Sequence, residues 1–306
     1  TTGVQNTLIG GAAGDALTDA DGNVALGTLA LTSDTLGSDS IAIGNNALSS
    51  QNFTTATSSY NVAIGKNAGL DITTGVANTL IGGLAGDALT DADSNVAVGQ
   101  NALSTDTLGS NSTAIGQGAL ANCNFTTATS THNTAVGYDA GSALSTGVQN
   151  TLIGSTAGDA ITTGSYNAAL GYGALSADDL GSQSVAIGYH ALVAQNYATA
   201  TASFNTAVGS SAGANVSTGI QNTLIGGSAG DALTDADFNT AVGVGSLGSD
   251  TLGSRSTALG YAALFAQNFT TATNAYNIAV GYNAGAAVTT GTNNTLIGGL
   301  AGDAQT

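Results

Sequence analysis

The 306-residue sequence contains no proline, methionine, tryptophan or glutamate. Its only cations are Lys66 and Arg255, set against 19 acidic residues, all aspartate, for a formal net charge of −17. The missing Glu, Lys, Arg and Met are the strong helix formers, and the abundant Gly, Thr and Asn disfavour helix further. A helical bundle is therefore excluded. Two cations are too few for a nucleic-acid surface, which needs clustered Lys and Arg. No apolar run approaches the ~18 residues of a membrane span, so no membrane insertion is expected. The single cysteine, Cys123, rules out an intrachain disulfide framework. Disorder is also disfavoured, because 42% of the chain is apolar and the aliphatic residues are regularly placed.

What is present is a repeat. A five-residue unit, Asn/Ser–β-branched–Ala/Leu–Ile/Val/Leu–Gly, recurs seventeen times, with Ala168 the one departure at its second position. Its glycines, beginning Gly10, Gly27, Gly44, Gly65 and Gly82, are spaced 17, 17, 21 and 17 residues, and the pattern then repeats. A 17-residue coil with a 21-residue coil at every fourth step makes a 72-residue super-repeat, marked by NTLIG at Asn6, Asn78, Asn150, Asn222 and Asn294. One short apolar segment and one fixed glycine per period predict an all-β, parallel β-solenoid of about seventeen coils. The array runs from residue 1 to residue 306 as a single domain. It begins at Thr1 and stops partway through a coil, as a segment of a longer fibre would.

Each position in the coil predicts a job. Position one is Asn in thirteen coils and Ser at Ser40, Ser112, Ser184 and Ser256, which suits a hydrogen-bonded ladder along one corner. Glycine at position five suits a corner needing positive φ or close backbone approach. Position eight is Ala everywhere except Ser246, as a narrow interior turn requires. Positions two, three and four are all apolar or β-branched, so the strand does not alternate and both its faces are expected to be buried. Two and four are assigned to the interior. Position three (Leu8, Ala25, Ala42, Ala63, Leu80, Leu152, Leu224 and Leu296 among its members) is assigned to a subunit interface along the rod. The alternative is an interior position in a flattened coil.

The runs SIAIGNNAL at Ser40, STAIGQGAL at Ser112, SVAIGYHAL at Ser184 and NTAVGYDAG at Asn133 resemble the head repeats of YadA-like trimeric autotransporter adhesins, and similar repeats occur in phage tail fibres. The resemblance implies a left-handed β-roll, three chains about a threefold axis, and an extracellular place on a cell surface or virion. The family repeat is shorter than 17 residues and lacks the 21-residue coil.

Candidate binding residues lie in the long coils. Phe53, Phe125, Tyr197 and Phe269 occupy the inserts, and Tyr60, His132, Phe204 and Tyr276 follow them. Such aromatics beside Asn, Gln and Thr can stack on sugar rings of a host glycan or receptor, or they can fold back over the apolar edge of their own coil. The aspartates of Asp15–Asp21, repeated at Asp87, Asp91 and Asp93 and at Asp231, Asp235 and Asp237, read as solvated turn residues rather than a Ca²⁺ site, since Thr163 and Ser165 replace two of them in the third block. No catalytic constellation is evident. His132 and His190 accompany no nucleophile motif, and the adjacent Asp178 and Asp179 lack the separation of a glycosidase pair. The expected role is a stiff extracellular fibre with no cofactor and no enzymatic activity. A self-assembled filament is the alternative, and a glycan-cleaving tailspike is a third reading.

Overall fold

In the computed structural model, which describes residues 3–305, the chain is all-β and no described residue is helical. It forms two compact units, 1–150 and 151–306. The first holds eight three-residue strands: Thr7–Ile9, Val24–Leu26, Ile41–Ile43, Val62–Ile64, Thr79–Ile81, Val96–Val98, Thr113–Ile115 and Thr134–Val136. The second holds nine: Thr151–Ile153, Ala168–Leu170, Val185–Ile187, Thr206–Val208, Thr223–Ile225, Thr240–Val242, Thr257–Leu259, Ile278–Val280 and Thr295–Ile297. Within each unit every strand pairs in parallel with the strand one coil on, position on position, as in Val24↔Ile41, Ala25↔Ala42 and Leu26↔Ile43. The chain is thus a β-solenoid of about seventeen coils. The 21-residue coils keep this register, with Ala42 still opposite Ala63, because their extra residues close a second ladder in which Gly37–Ser38 pairs with Thr57–Ser58.

The corner ladder forms as the sequence predicts. The Asn95 amide donates to Asn78 Oδ1 at 3.0 Å, and the Asn78 amide to Asn61 Oδ1 at 2.9 Å. Each asparagine also donates from Nδ2 to a carbonyl in the closing turn of its own coil, Asn78 to Ala92 O at 2.8 Å and Asn95 to Gly109 O at 2.9 Å. One buried side chain thus ties its coil shut and holds the next coil in register. A serine cannot reach both partners. Where Ser40 stands, the insert provides a substitute: the Ser59 hydroxyl pairs with the Ser40 hydroxyl at 2.5 Å, and Gln51 Nε2 donates to Ser40 Oγ at 2.9 Å. The serine and the insert of its own 21-residue coil are therefore one device, which is why they recur together every 72 residues.

The strand faces are the reverse of the assignment made from sequence. In nearly every strand the middle residue is the buried one. Ala25, Ala42, Ala63, Leu80, Leu152 and Leu224 are fully buried within their own chain, Leu296 is half-buried, and Leu8, in the terminal coil of its stack, is 42% exposed. Position three therefore lines the solenoid interior and is not a subunit interface. The physical reason is the narrowness of the coil, visible in a pairing between positions three and nine. Where position three is Leu80, position nine is Gly86, whose added Cβ would stand 2.7 Å from Leu80 Cδ2. Where position three is Ala97, position nine is Leu103, also fully buried. In the coil preceding Leu80, position three is Ala63 and position nine Gly69, and the space is filled by leucines of the two adjacent coils. A Cβ built on Gly69 would stand 2.8 Å from Leu80 Cδ1 and 2.9 Å from Leu48 Cδ2, as a close-packed core shared between coils requires. Leu103 sits at φ 53, a conformation costing a branched side chain about 1–2 kcal/mol. Its complete burial contributes about 2–3 kcal/mol, so packing outweighs the strain.

Candidate functional site

Positions two and four face outward. Position four presents Leu26 at 42%, Ile81 at 36% and Ile115 at 39% exposure in the first unit, with Leu170, Ile225 and Leu259 equivalent in the second. Position two beside it is Thr, Val or Ile, except at Ala168, and is mostly half-buried. Neither column holds a charged residue anywhere. With strands about 4.8 Å apart, eight of them make an aliphatic strip roughly 38 Å long, more than a monomeric surface usually leaves contiguous.

The insert aromatics divide into two groups. Phe53, Phe125, Tyr197 and Phe269 are about 5–6% exposed, so they are not surface-binding residues. Four extra residues widen the coil, and the ring fills the added space: a Cβ built on Gly37 would lie 2.7 Å from Phe53 Cδ2. Tyr197 keeps its hydroxyl satisfied, donating to Gly219 O at 2.8 Å. Tyr60, Phe204 and Tyr276 are more than half exposed, and His132 is also exposed. These four share a corner column, just before the asparagine ladder, where φ is 51–53 and the side chain is thrown outward. Tyr166 and Phe238 occupy the same column at 54% and 38% exposure, and Arg255 lies 4.5 Å above the Phe238 ring. Sequence reasoning missed both. Counting back one residue from each asparagine of the ladder would have found them.

Beneath the inserts lies a polar cluster that sequence reasoning also missed. Position twelve is aliphatic in two coil types, as at Leu17 and Ile72, but carries Asp34 and then Gln51 in the other two. Gln51 Nε2 donates to Asp34 Oδ2 at 2.6 Å, and the Gly37 amide donates to Asp34 Oδ1 at 3.0 Å. Gln195 with Asp178 and Gln267 with Asp250 repeat the pair at 2.6 and 2.5 Å. In the second block Cys123 stands in the glutamine's place. The thiol faces Asp106, whose buried Oδ2 finds no ordinary hydrogen-bond donor. Burial foremost, with the neighbouring Asp106 carboxylate, pushes the Cys123 thiol far up, so it is no nucleophile.

This defect makes a prediction. Cys123→Gln restores the donor present in the other three blocks and is expected to stabilise the chain by about 2 kcal/mol at neutral pH. Asp106 is raised above its ordinary 3.8, chiefly by burial and against the amides of Phe125 and Gly109. A carboxyl whose folded-state pKa is raised supplies its stability below the unfolded value and loses it as pH rises through the folded value. The glutamine donor favours the ionised form, so the gain is larger above that window than below it. Urea midpoints of both proteins at pH 4 and pH 7 measure this, and a gap that narrows at pH 7 contradicts it.

The remaining candidates are structural. Asp21, Asp93 and Asp237 accept backbone amides one coil away, from Val4 at 2.7 Å and from Val76 and Ile220 at 2.8 Å. Asp91 and Asp235 accept the hydroxyls of Thr74 and Thr218 at 2.6 Å. Each aspartate thus reaches between adjacent coils. Among the described residues no three His, Cys, Asp or Glu side chains converge as a metal site would need. Asp178 is buried on Gln195, while Asp179 accepts the Thr162 hydroxyl, so the two do not face each other across a cleft. His190 stacks on Tyr189 with ring centroids 3.9 Å apart. No protein-family model, curated protein or solved structure matches this chain.

Proposed function

We infer that the chain is the structural segment of an extracellular fibre, a left-handed solenoid that assembles as a homotrimer through the outward columns at positions two and four. The observation that carries this reading is the uncharged aliphatic strip, strand after strand, on a chain otherwise rich in aspartate and serine. Covering that strip with the same strip of two further copies removes it from water without any new residue type, and cyclic symmetry closes the assembly. The resemblance to adhesin head repeats and phage tail fibres points the same way. The role is mechanical: stacked coils hold a stiff support, and the corner aromatics Tyr60, His132, Phe204 and Tyr276 remain outside the strip to meet a host glycan or receptor.

Sedimentation equilibrium across a wide concentration range tests the assembly. The expected mass is three chains, independent of concentration. Ile81→Asp with Ile115→Asp puts two charges on the strip at positions already about 36–39% exposed, and is expected to give a monomer with an unchanged circular dichroism spectrum. A wild-type monomer overturns the reading. A mass that climbs without limit replaces it with an open filament.

A further inference from the structure

Position six, directly after the corner glycine, forms a continuous outer row in the second unit. Between Ser155 at one end and Gly299 at the other, its members in coil order are Tyr172, Tyr189, Ser210, Gly227, Val244, Tyr261 and Tyr282. Each position-six carbonyl accepts the amide of position seven one coil on: Tyr189 O from Ser211, Ser210 O from Ser228, Gly227 O from Gly245 and Val244 O from Ala262, at 2.8–3.0 Å. The row is therefore one ladder, and its side chains are not evenly distributed. Tyr172 stacks on Tyr189 at 5.8 Å and Tyr261 on Tyr282 at 5.4 Å, while Ser210, Gly227 and the exposed aliphatic Val244 separate the two pairs.

The gap is a shaped depression of about 430 Å³, floored by Ser210, Gly227, Ser228 and Gly245 and walled by Tyr261 and Phe265. Its second wall depends on local departures from the repeat. Phe265 stands where the equivalent coils have Ser49, Ala121 and Val193. The coil beneath it lacks side chains at Gly245 and Gly248, and Cβ atoms built there would lie 3.7 and 3.2 Å from the Phe265 ring. Phe265 and Tyr261 remain 47% and 55% exposed, so two aromatic surfaces face one trough. At its floor lie the side chains of Ser210 and Ser228.

We propose that this trough is a saccharide-binding site for a neutral hexopyranose chain. Its size falls within the range of small-ligand pockets, which combine apolar walls with a few placed polar groups. The CH face of a pyranose lies flat on an aromatic ring, and its hydroxyls match the donors and acceptors of Ser210 and Ser228. No cation faces the trough. Arg255 is engaged with Asn274 and Phe238, so with a net charge of −17 nothing favours phosphate or carboxylate ligands. From Tyr189 to Tyr261 is four coil spacings, about 19 Å, which gives room for a short oligosaccharide. The site belongs to one chain, so it stands whether or not the chain forms a trimer.

Isothermal titration with cellotriose, maltotriose and mannotriose tests the site, with choline as the cationic control. The wild-type protein is expected to bind at least one trisaccharide. Gly227→Tyr is chosen to fill the gap: the built Cβ meets nothing closer than Ser210 O at 4.0 Å, so the backbone there has room for a side chain. This variant and Tyr261→Ala are each expected to weaken binding more than tenfold with unchanged melting curves. If none of the three sugars binds, if choline alone binds, or if Gly227→Tyr binds as well as wild type, the proposal is overturned.

Discussion

Gly82→Ala is expected to abolish the cooperative fold of the coils around it, while Gly83→Ala, one residue away, is expected to be nearly silent. Gly82 lies at φ 139, in a region only glycine occupies at low cost. A Cβ there would stand 2.5 Å from Gly99 O and 2.6 Å from its carbonyl carbon, both backbone atoms of the next coil. Relief means separating two coils whose spacing is set by ladder bonds such as Gly99 N–H to Ile81 O at 2.8 Å. Strain and lost pairing together exceed about 5 kcal/mol, which is diagnostic for a single substitution. Gly83 has no positive φ in this range and its nearest atom is Lys66 O at 4.0 Å, so alanine there should stay within about 0.5 kcal/mol of wild type. Amide hydrogen exchange separates the two results, because a local breach shows as lost protection at Gly82 and Gly99 even when distant coils survive. Similar protection in both variants would refute the role given to the corner glycine.

That corner was legible in the sequence because it is a property of a single column. The same holds for the asparagine ladder and the small residue at position eight: each column repeats one chemical demand, and the period makes it visible. The direction of the strand was not legible in this way. Thr79-Leu80-Ile81 offers three residues without an apolar–polar alternation, and patch size alone favoured the wrong face. The deciding signal was a correlation between two columns, Leu at position three with Gly at nine and Ala at three with Leu at nine in the serine coil and the one before it. Only the confined volume of the coil makes that correlation meaningful.

The aromatics and acids fail for a related reason. Phe53 and Tyr60 sit seven residues apart in one polar insert, yet one fills the widened coil and the other points out from a left-handed corner. Residue type does not distinguish them, but register to Asn61 does. Asp34 in TSDTLGS looks as solvated as Asp91 in TDADS. Its place in a column otherwise holding Leu17 and Ile72 marks it as interior, and the Gln51 that follows supplies the donor that makes burial tolerable.

The ladder supplies the second large effect. Asn61 Nδ2 donates to Gln51 Oε1 at 2.9 Å and to Gly75 O at 2.7 Å, while its Oδ1 accepts the Asn78 amide at 2.9 Å. Asn61→Ala leaves three buried partners without a bond, each costing about 1–3 kcal/mol, for an expected loss of about 4 kcal/mol. Asn61→Ser is the sharper test, since serine is native at the same position in Ser40. Ser40 works because its own long coil, residues 40–60, brings Gln51 and Ser59 to its hydroxyl. The coil that Asn61 opens is a short one with no such insert, so serine there should cost nearly as much as alanine. If urea midpoints instead show Asn61→Ser within about 1 kcal/mol of wild type, serine alone satisfies the corner, and the restriction of serine to the long coils has another cause.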